Sequence, residues 1–326
     1  MAGVAAQRGA SPVAGYVLRR AGASLLTAAL SSVVVFLLIR SVPGDVVAQM
    51  LGQTSDPAAA GALREFFGLD RPLWAQYAGW AGRVLTGDLG VSWARGLPVL
   101  RLVSDALLVT LELGLLTLAI ATAVGVPLGL VAGIYEGRWL DRLIQGFAIT
   151  GLAAPVFWVG LMLLVAISSA TGWSPPVTYA PPTRDLAENL AMLALPVASL
   201  ALLQAAAYGQ FVRQSVVTAY HQDYVRTAIA KGVPLRTVFF KHVLRNIAIP
   251  LVTFMGLILI QILGGAVIIE SLFALPGLGR LLLSAIETRD YPVLQGGLLV
   301  VVGIAMVVNL VVDLLYRVID PRVRLS

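Results

Sequence analysis

The chain has 326 residues, of which 58% are hydrophobic and only 12% are charged, whereas a soluble domain carries about 25% charged residues. The apolar residues come in long runs without charge, which excludes a soluble protein with an ordinary core. The formal net charge is +6, and because the basic residues border the apolar runs, it indicates control of membrane topology rather than nucleic-acid binding. The lack of cysteine excludes disulfides and thiolate sites, and two histidines argue against a multi-histidine metal site.

Six apolar runs are close to or above the roughly 20 residues that a helix needs to cross a bilayer. They are residues 21–39, the stretch between Asp105 and Glu136 that only Glu112 interrupts, and residues 143–172, 189–212, 247–269 and 293–312. Because backbone groups in lipid must be hydrogen-bonded within their own segment, each run is predicted to be a helix. Prolines fall inside several runs, where membrane helices tolerate kinks. The sequence therefore predicts an all-α integral membrane protein with a six-transmembrane-helix bundle.

The first run allows two interpretations. Arg19 and Arg20 precede it, as basic residues precede the apolar core of a secretory signal peptide. The run is longer than the about 7–15 residues of a signal core, and no clear small-x-small cleavage site follows it. These features favour a retained transmembrane helix.

The distribution of Lys and Arg predicts the orientation. With the amino terminus in the cytoplasm, most basic residues lie in cytoplasmic segments, and the acidic residues gather mostly outside. Both termini are then cytoplasmic. The predicted division is a cytoplasmic segment 1–20, a first membrane helix 21–39, an extracytoplasmic region 40–105, a membrane core 106–318 and a cytoplasmic tail 319–326.

The extracytoplasmic region after the first helix has a helix-forming stretch at 58–67 and several Trp and Tyr residues. These predict a small ordered cap on the membrane. An aromatic belt at the membrane interface explains the same residues, and the two interpretations are compatible.

The cytoplasmic loop 213–246 is predicted to contain two helices with a break. Asp223 suits the positive end of the first helix, Gly232 suits the left-handed position that ends it, and Pro234 suits the first turn of the next. A short helix across the mouth of a bundle can insert into a groove on a partner. An ordinary basic loop that obeys the topology rule is an equal alternative.

The extracytoplasmic loop 271–292 begins with a turn signal at Pro276-Gly277. An amphipathic helix is predicted after it, lying at the outer surface as a lip around an entry path or as a simple interfacial helix. Its predicted apolar side consists of Leu278, Leu281, Leu282 and Ile286.

Motifs of catalytic and nucleotide-binding sites are missing from the sequence. It has no Gly-x4-Gly-Lys-Ser/Thr loop for ATP, no Gly-x-Ser-x-Gly elbow and no His-Glu-x-x-His zinc motif. We therefore expect no catalytic residue, no metal site and no cofactor in this chain.

Two polar residues within the runs are candidates for function. Glu112 is an ionisable group near a membrane end, for which a role in transport and a structural hydrogen bond are both open. Gln261 can line a path for a polar solute, although a close helix contact at Gly264-Gly265 explains the same residues.

Short motifs spread along the chain carry a resemblance to a known family. They are Arg19-Arg20, Pro43-Gly44-Asp45, Leu69-Asp70-Arg71-Pro72, Gly87-Asp88-Leu89-Gly90, Thr110-Leu111-Glu112, the loop segment from Asp223 to Gly232, Glu270, Phe273, Pro276-Gly277-Leu278-Gly279, Arg289-Asp290-Tyr291-Pro292 and Asp320-Pro321-Arg322. With these motifs in this order, the chain resembles the permease subunits of dipeptide and oligopeptide ABC importers over nearly its whole length.

The resemblance implies a coupling helix that docks on an ATPase subunit through a Glu-Ala-Ala-x3-Gly signature. Arg226, Thr227 and Ala228 take the Glu-Ala-Ala places and Gly232 takes the glycine, so the first two depart from the general signature. The expected coupling residues are Asp223, Tyr224, Arg226, Thr227, Ala228, Lys231 and Gly232. The candidate residues of the translocation path are Glu112, Gln261, Glu270, Phe273, Pro276 and Gly277.

The resemblance also implies the partners and the place of the protein. They are a second homologous permease, two ATPase subunits that bind ATP and Mg, an extracytoplasmic solute-binding protein and the lipid of a prokaryotic cell membrane, without nucleic acid. A secondary transporter would need coupling-ion groups at the midplane and inverted repeats, and neither is clear here. Peptides are the expected cargo, with metal chelates, haem and other small solutes left open.

Overall fold

The computed structural model describes residues 12–41, 47, 51 and 57–319, which are mostly helical. We number the helices in chain order as α1 Pro12–Ser41, α2 Pro57–Phe67, α3 Leu73–Leu85, α4 Val99–Ile134, α5 Trp139–Ala153, α6 Val156–Thr171, α7 Leu186–Tyr220, α8 Asp223–Ala230, α9 Leu244–Leu272, α10 Leu278–Glu287 and α11 Tyr291–Ile319. One helical turn, Leu235–Thr237, and a π-helical segment, Val238–Val243, lead into α9. Motifs 43–45 and 320–322 and most of the predicted tail lie outside the described residues.

Four of the described helices, α4, α7, α9 and α11, are long and apolar enough to cross a membrane. The pair α5 and α6 passes the same test jointly, and counting it as one span gives five. The apolar stretch Leu25–Ser41 within α1 is shorter. The chain is thus a helical membrane protein, and the sixth crossing stays a prediction.

The third apolar run was predicted as one helix, and this is wrong. The helix breaks between α5 and α6, whose axes differ by 104°. The cause is Pro155, which disfavours helical backbone at the residue before it, so Ala154 is extended with φ −81° and ψ 129°. Pro127, Pro196 and Pro250 lie inside continuous helices instead.

The described chain divides into two compact units. The first contains the residues before Leu102 together with 285–307. In it, the end of α1 packs on α3: Phe36 is 1% exposed, and its ring centroid lies 5.3 Å from that of Tyr77. The guanidinium of Arg40 lies 3.9 Å from the centroid of the same Phe36 ring.

The second unit, residues 102–284 and those from 308 onward, contains a close contact between α4 and α7. Gly125, Gly129 and Gly133 recur at the four-residue spacing that lets two membrane helices approach. A Cβ atom added at Gly125 would lie 2.6 Å from the carbonyl oxygen of Ala205, and one at Gly133 would lie 2.7 Å from Cβ of Val216. The contacts advance in the same direction along both helices, so α4 and α7 run parallel.

The core of the second unit lies between α4, α7 and α9. Leu113, Leu200 and Ile262 are among the fully or nearly fully buried side chains of one continuous apolar cluster. A separate cluster beneath α8 joins the ends of α7 and α9. The parallel helices and these clusters place the loop between α7 and α9 at one end of the unit.

Candidate functional site

The predicted coupling loop forms α8 and the helical entry into α9. Val225 is completely buried and belongs to the same cluster as Val216 of α7 and as Val238 and Val243 of the π-helical segment. Burial of one Val side chain contributes about 1.5–3 kcal/mol relative to exposure. The short helix is therefore anchored to both neighbouring elements.

Helix α8 ends in a Schellman motif. Gly232 has φ +77°, and its N–H donates to the carbonyl of Ile229 at 2.9 Å. The N–H of Val233 donates to the carbonyl of Ala228 at 3.1 Å, which completes the pattern. This confirms the predicted left-handed end of the helix. A Cβ atom at Gly232 would meet nothing within 4 Å, so backbone conformation rather than space favours glycine here.

The surface of α8 presents most of the predicted coupling residues. Ala228 is the exception, because it is half-buried and packs against the cluster beneath the helix. Tyr224 and Ile229 leave 38% and 42% of their surface exposed. The other exposed members of the predicted set are Asp223, Arg226, Thr227, Lys231 and Gly232.

Glu270, a candidate path residue, lies in a closed polar junction. It is 0% exposed, and Thr110 of α4 donates its hydroxyl hydrogen to Oε1 at 2.5 Å. The N–H of Arg280 donates to Oε2 at 2.9 Å, and Leu278 N–H donates to the Thr110 hydroxyl at 2.8 Å. These N–H groups belong to the first turn of α10, where a helix has no internal partners for them and favours negative charge.

The turn before α10 fits against the same carboxylate. A Cβ atom at Gly277 would overlap the carboxylate group of Glu270. A Cβ atom at Gly279 would lie 2.6 Å from Cγ2 of Val267. Together with Thr110, these residues form what we name the Glu270 junction, which holds α10 on α4 and α9.

The other candidate path residues are not gathered at this junction. Gln261 is exposed and lies on α9 about 14 Å from Glu270 at 1.5 Å per helical residue. Apart from the adjacent residues and the backbone of α9 itself, no atom of the described chain lies within 4 Å of a Cβ atom at Gly264 or Gly265, so a close contact with another described helix is not found there. Phe273 is half-buried and Pro276 is exposed.

Glu112 has a specific partner. The phenol of Tyr179, in the segment between α6 and α7, donates to its Oε2 at 2.8 Å. Burial, followed by the hydrogen bond to Glu112, raises the pKa of Tyr179 above its ordinary value. This hydrogen bond agrees with the structural role, one of the two roles that the sequence allowed for Glu112. The transport role stays a prediction.

The predicted amphipathic helix exists as α10, but its buried side differs from the prediction. Leu278 and Leu281 are buried as expected. Ile286 is 60% exposed, and Ala285 is buried in its place. The burial of Ala285 was not predicted, because the prediction considered only large apolar residues.

Two of the motifs that carried the family resemblance meet in the first unit. Asp290 accepts a hydrogen bond from the Ser92 hydroxyl at 2.5 Å and from the N–H of Trp93 at 3.1 Å. Gly90 has φ +85°, and a Cβ atom there would lie 3.8 Å from Cβ of Pro292. The two motif segments therefore pack against each other in the folded chain.

A bidentate ion pair was missed by sequence reasoning. Arg213 of α7 donates from Nε to Asp141 Oδ1 at 2.6 Å and from Nη2 to Oδ2 at 2.8 Å. Asp141 lies in the first turn of α5 and also accepts from the N–H of Gly137 at 2.8 Å. The available signal was a pair of opposite charges at the predicted cytoplasmic ends of neighbouring runs.

Among the described residues, no group of three or more His, Cys, Asp or Glu could hold a metal ion. The polar sites found are hydrogen-bonded junctions between helices and an exposed helical loop. Such an arrangement can transmit movement and form a passage.

Comparisons with known proteins agree with this picture. Residues 125–325 match the family described as "Binding-protein-dependent transport system inner membrane component", and residues 13–114 match its N-terminal family, "Binding-prot-dependent transport system membrane comp, N-term". The chain is 36% identical to the "Probable peptide ABC transporter permease protein y4tP" of Sinorhizobium fredii, over 95% of this chain and 99% of the relative. It is 35% identical to the "Dipeptide transport system permease protein DppB" of Escherichia coli, over 95% and 98%.

A solved structure shares the fold. It is an inward-facing conformation of the MetNI methionine ABC transporter, with a TM-score of 0.50 and 16% identity. The similarity covers 67% of this chain and 96% of the other.

Proposed function

Because the chain belongs to the family of binding-protein-dependent transport system inner membrane components, we propose that it is the permease subunit of an ABC importer for di- or oligopeptides. The observation that carries this proposal is the similarity to peptide and dipeptide permeases along 95% of the chain. The chain is then a transport subunit, and ATP hydrolysis belongs to separate subunits.

The proposed topology has six crossings, formed by α1, α4, the α5–α6 pair, α7, α9 and α11, with both termini in the cytoplasm of a prokaryote. The parallel packing of α4 and α7 supports it, because the bent pair between them must return the chain to the side where α4 began. The excess of Lys and Arg in the predicted cytoplasmic segments supports the orientation.

The proposed partners are a second homologous permease, two ATPase subunits that bind ATP and Mg, and an extracytoplasmic solute-binding protein. Helix α8 is the proposed coupling element. The helix exposes two large apolar side chains, Tyr224 and Ile229, and two basic ones, Arg226 and Lys231, that a partner can contact. Because Val225 fixes α8 to α7 and to the entry of α9, a displacement of α8 by the ATPases is passed to both helices.

The experiment that tests this function is copurification from the native membrane. The tagged chain is extracted in mild detergent, and the captured proteins are identified. We expect two further kinds of subunit, an ATPase with a phosphate-binding loop and a second permease. Capture of the chain without any ATPase, under conditions in which peptide uptake by the membranes is intact, would contradict the proposal.

A further inference from the structure

Two adjoining cavities lie beside the second half of α7. One, of about 400 Å³, lies between α7, α8 and the start of α9. The other, of about 490 Å³, lies between α5, α7 and α9. Phe211 and Gln214 line both cavities, so the two spaces meet at these side chains.

The lining combines apolar side chains with polar groups that are almost free of charge. Gln210, Gln214 and Thr218 follow one another at four-residue spacing along α7, which places them on one stripe of the helix. Asn246, at the start of α9, faces the first cavity from the other side. Within the described chain, no hydrogen bond joins the amides of Gln214 or Asn246 to another residue.

Arg213 is the one fully charged side chain among the described residues that line the cavities. Its Nε and Nη2 atoms both donate hydrogen bonds to the carboxylate of Asp141, at 2.6 and 2.8 Å. The pair carries no net charge. The surface that a solute meets is therefore neutral and consists of amides, hydroxyls, aromatic rings and aliphatic side chains.

An aromatic wall borders the amides. Phe211 of α7 and Phe254 of α9 stack with ring centroids 4.1 Å apart and an interplanar angle of 2°. Tyr208 meets Phe254 edge-on at 5.4 Å. The stacked pair ties α7 to α9 and gives one side of the passage a firm apolar surface.

The chemistry of this lining fits a peptide main chain. Each peptide unit has one donor and one acceptor, and a primary amide offers both kinds of group. Moving an unpaired amide out of water costs free energy, because its hydrogen bonds to water are lost. The side-chain amide of Gln or Asn can replace those hydrogen bonds. A neutral lining does not trap charged termini or side chains, and weak contacts at several sites let a solute leave as readily as it enters.

We propose that Gln210, Gln214 and Asn246 form an amide track, the part of the translocation path in which this chain hydrogen-bonds the main chain of a passing peptide. This inference rests on the proposed peptide-importer function. It assigns the inner passage to residues outside the set expected from the sequence, which included the closed Glu270 junction.

The first test uses the natural absence of cysteine, which makes an introduced thiol the only one in this chain, and the unmodified importer treated with the same reagent shows any effect of thiols in its partners. In the complete importer in vesicles, Gln214→Cys is treated with a bulky water-soluble maleimide. We expect modification to stop ATP-driven uptake of a radiolabelled peptide, and peptide with binding protein and ATP to slow the modification. Glu136→Cys, an exposed position that lines neither cavity, is the matched control and keeps its uptake after modification.

The second test separates amide chemistry from shape. Gln210→Leu with Gln214→Leu keeps the side-chain size and removes the amides, and it should lower the uptake rate about tenfold. The double variant Gln210→Asn with Gln214→Asn keeps both amides and should retain most of the uptake. Gln214→Glu should make uptake depend on peptide charge, favouring a Lys-containing peptide over a Glu-containing one.

The outcomes distinguish failure of the amide track from failure of the proposed peptide-importer function. If the wild-type complex takes up no peptide, the proposed function fails. If it takes up peptide and the Leu pair does so at the same rate, with modification of Gln214→Cys harmless, the amide track is overturned while the function stands.

Discussion

Single residues hold neighbouring helices together at several places in this protein, and the Glu270 junction is the clearest example. Glu270 and Thr110 complete the hydrogen bonds of α10 from two other helices. The sequence analysis named both residues among the family motifs, but they are 160 residues apart in the chain. The pattern of neighbouring residues cannot predict a contact between such distant positions. The left-handed conformation of Gly232 was predictable, because it depends only on the residues at the end of the same helix.

We predict that Gly277→Ala destabilises the protein by about 1–3 kcal/mol, because the new methyl group overlaps a buried carboxylate that cannot leave its N–H partners. The measurement is the unfolding temperature of the purified complex in detergent. Gly264→Ala, where the methyl group meets no atom within 4 Å, is the control and should change it little. Equal effects of the two substitutions would show that the overlap is not real.

Tyr179 gives a prediction with a pH dependence. Its pKa is raised in the folded protein by burial and by Glu112, so its contribution is complete below the ordinary value of about 10 and is lost as the pH rises toward the folded value. Tyr179→Phe should therefore cost about 0.5–1.5 kcal/mol, equally at pH 7 and pH 9. Urea unfolding at the two pH values tests this, and a cost present at only one of them would contradict the assignment.

At the scale of elements, the apolar runs predicted most helices well because lipid allows a single solution for the backbone. The run 247–269 lies within α9, and 189–212 lies within α7. The break at Pro155 was not predicted, because Pro127, Pro196 and Pro250 show the same sequence signal without a break. Whether a proline kinks or breaks a helix depends on neighbours that are distant in sequence.

The contact between α4 and α7 gives an element-scale prediction. Gly129→Ala should weaken the parallel packing, because a Cβ atom there would lie 2.6 Å from the carbonyl oxygen of Gly209. We expect a loss of about 1–3 kcal/mol in stability, read from thermal unfolding of the complex. Gly146→Ala in α5, where a Cβ atom meets nothing within 4 Å, is the matched helical control. Wild-type stability of Gly129→Ala would show that the helices are further apart.

Helix α8 gives the prediction closest to function. Gly232→Leu forces a side chain onto φ +77° at the end of the proposed coupling helix, at a cost of about 1–2 kcal/mol. The protein should still insert, but ATP hydrolysis should no longer drive uptake, as measured by peptide transported per ATP hydrolysed. Gly172→Leu carries a similar cost at φ +69°, also in open space, at the end of α6. Loss of coupling in both variants would assign the effect to strain alone.

At the scale of the whole molecule, composition and the order of motifs were sufficient to predict a helical membrane permease, because too few charges exist to cover a soluble protein. The amide track was not predictable. Gln210 is an ordinary polar residue in an apolar run, and Gln214 falls in the predicted cytoplasmic loop. Their proposed role follows from the structure, in which α7 and α9 line both spaces and α5 lines the second. The chain has no nucleotide-binding loop in its sequence, so we propose that energy enters through partner subunits at α8.

The most direct test of this proposal is reconstitution. The chain and its partner permease are placed in vesicles with the binding protein and a radiolabelled peptide, with and without the ATPase subunits and ATP. The account predicts concentrative uptake when ATPase subunits and ATP are both present, and none when either is left out. Uptake against a gradient by the permeases alone would contradict it.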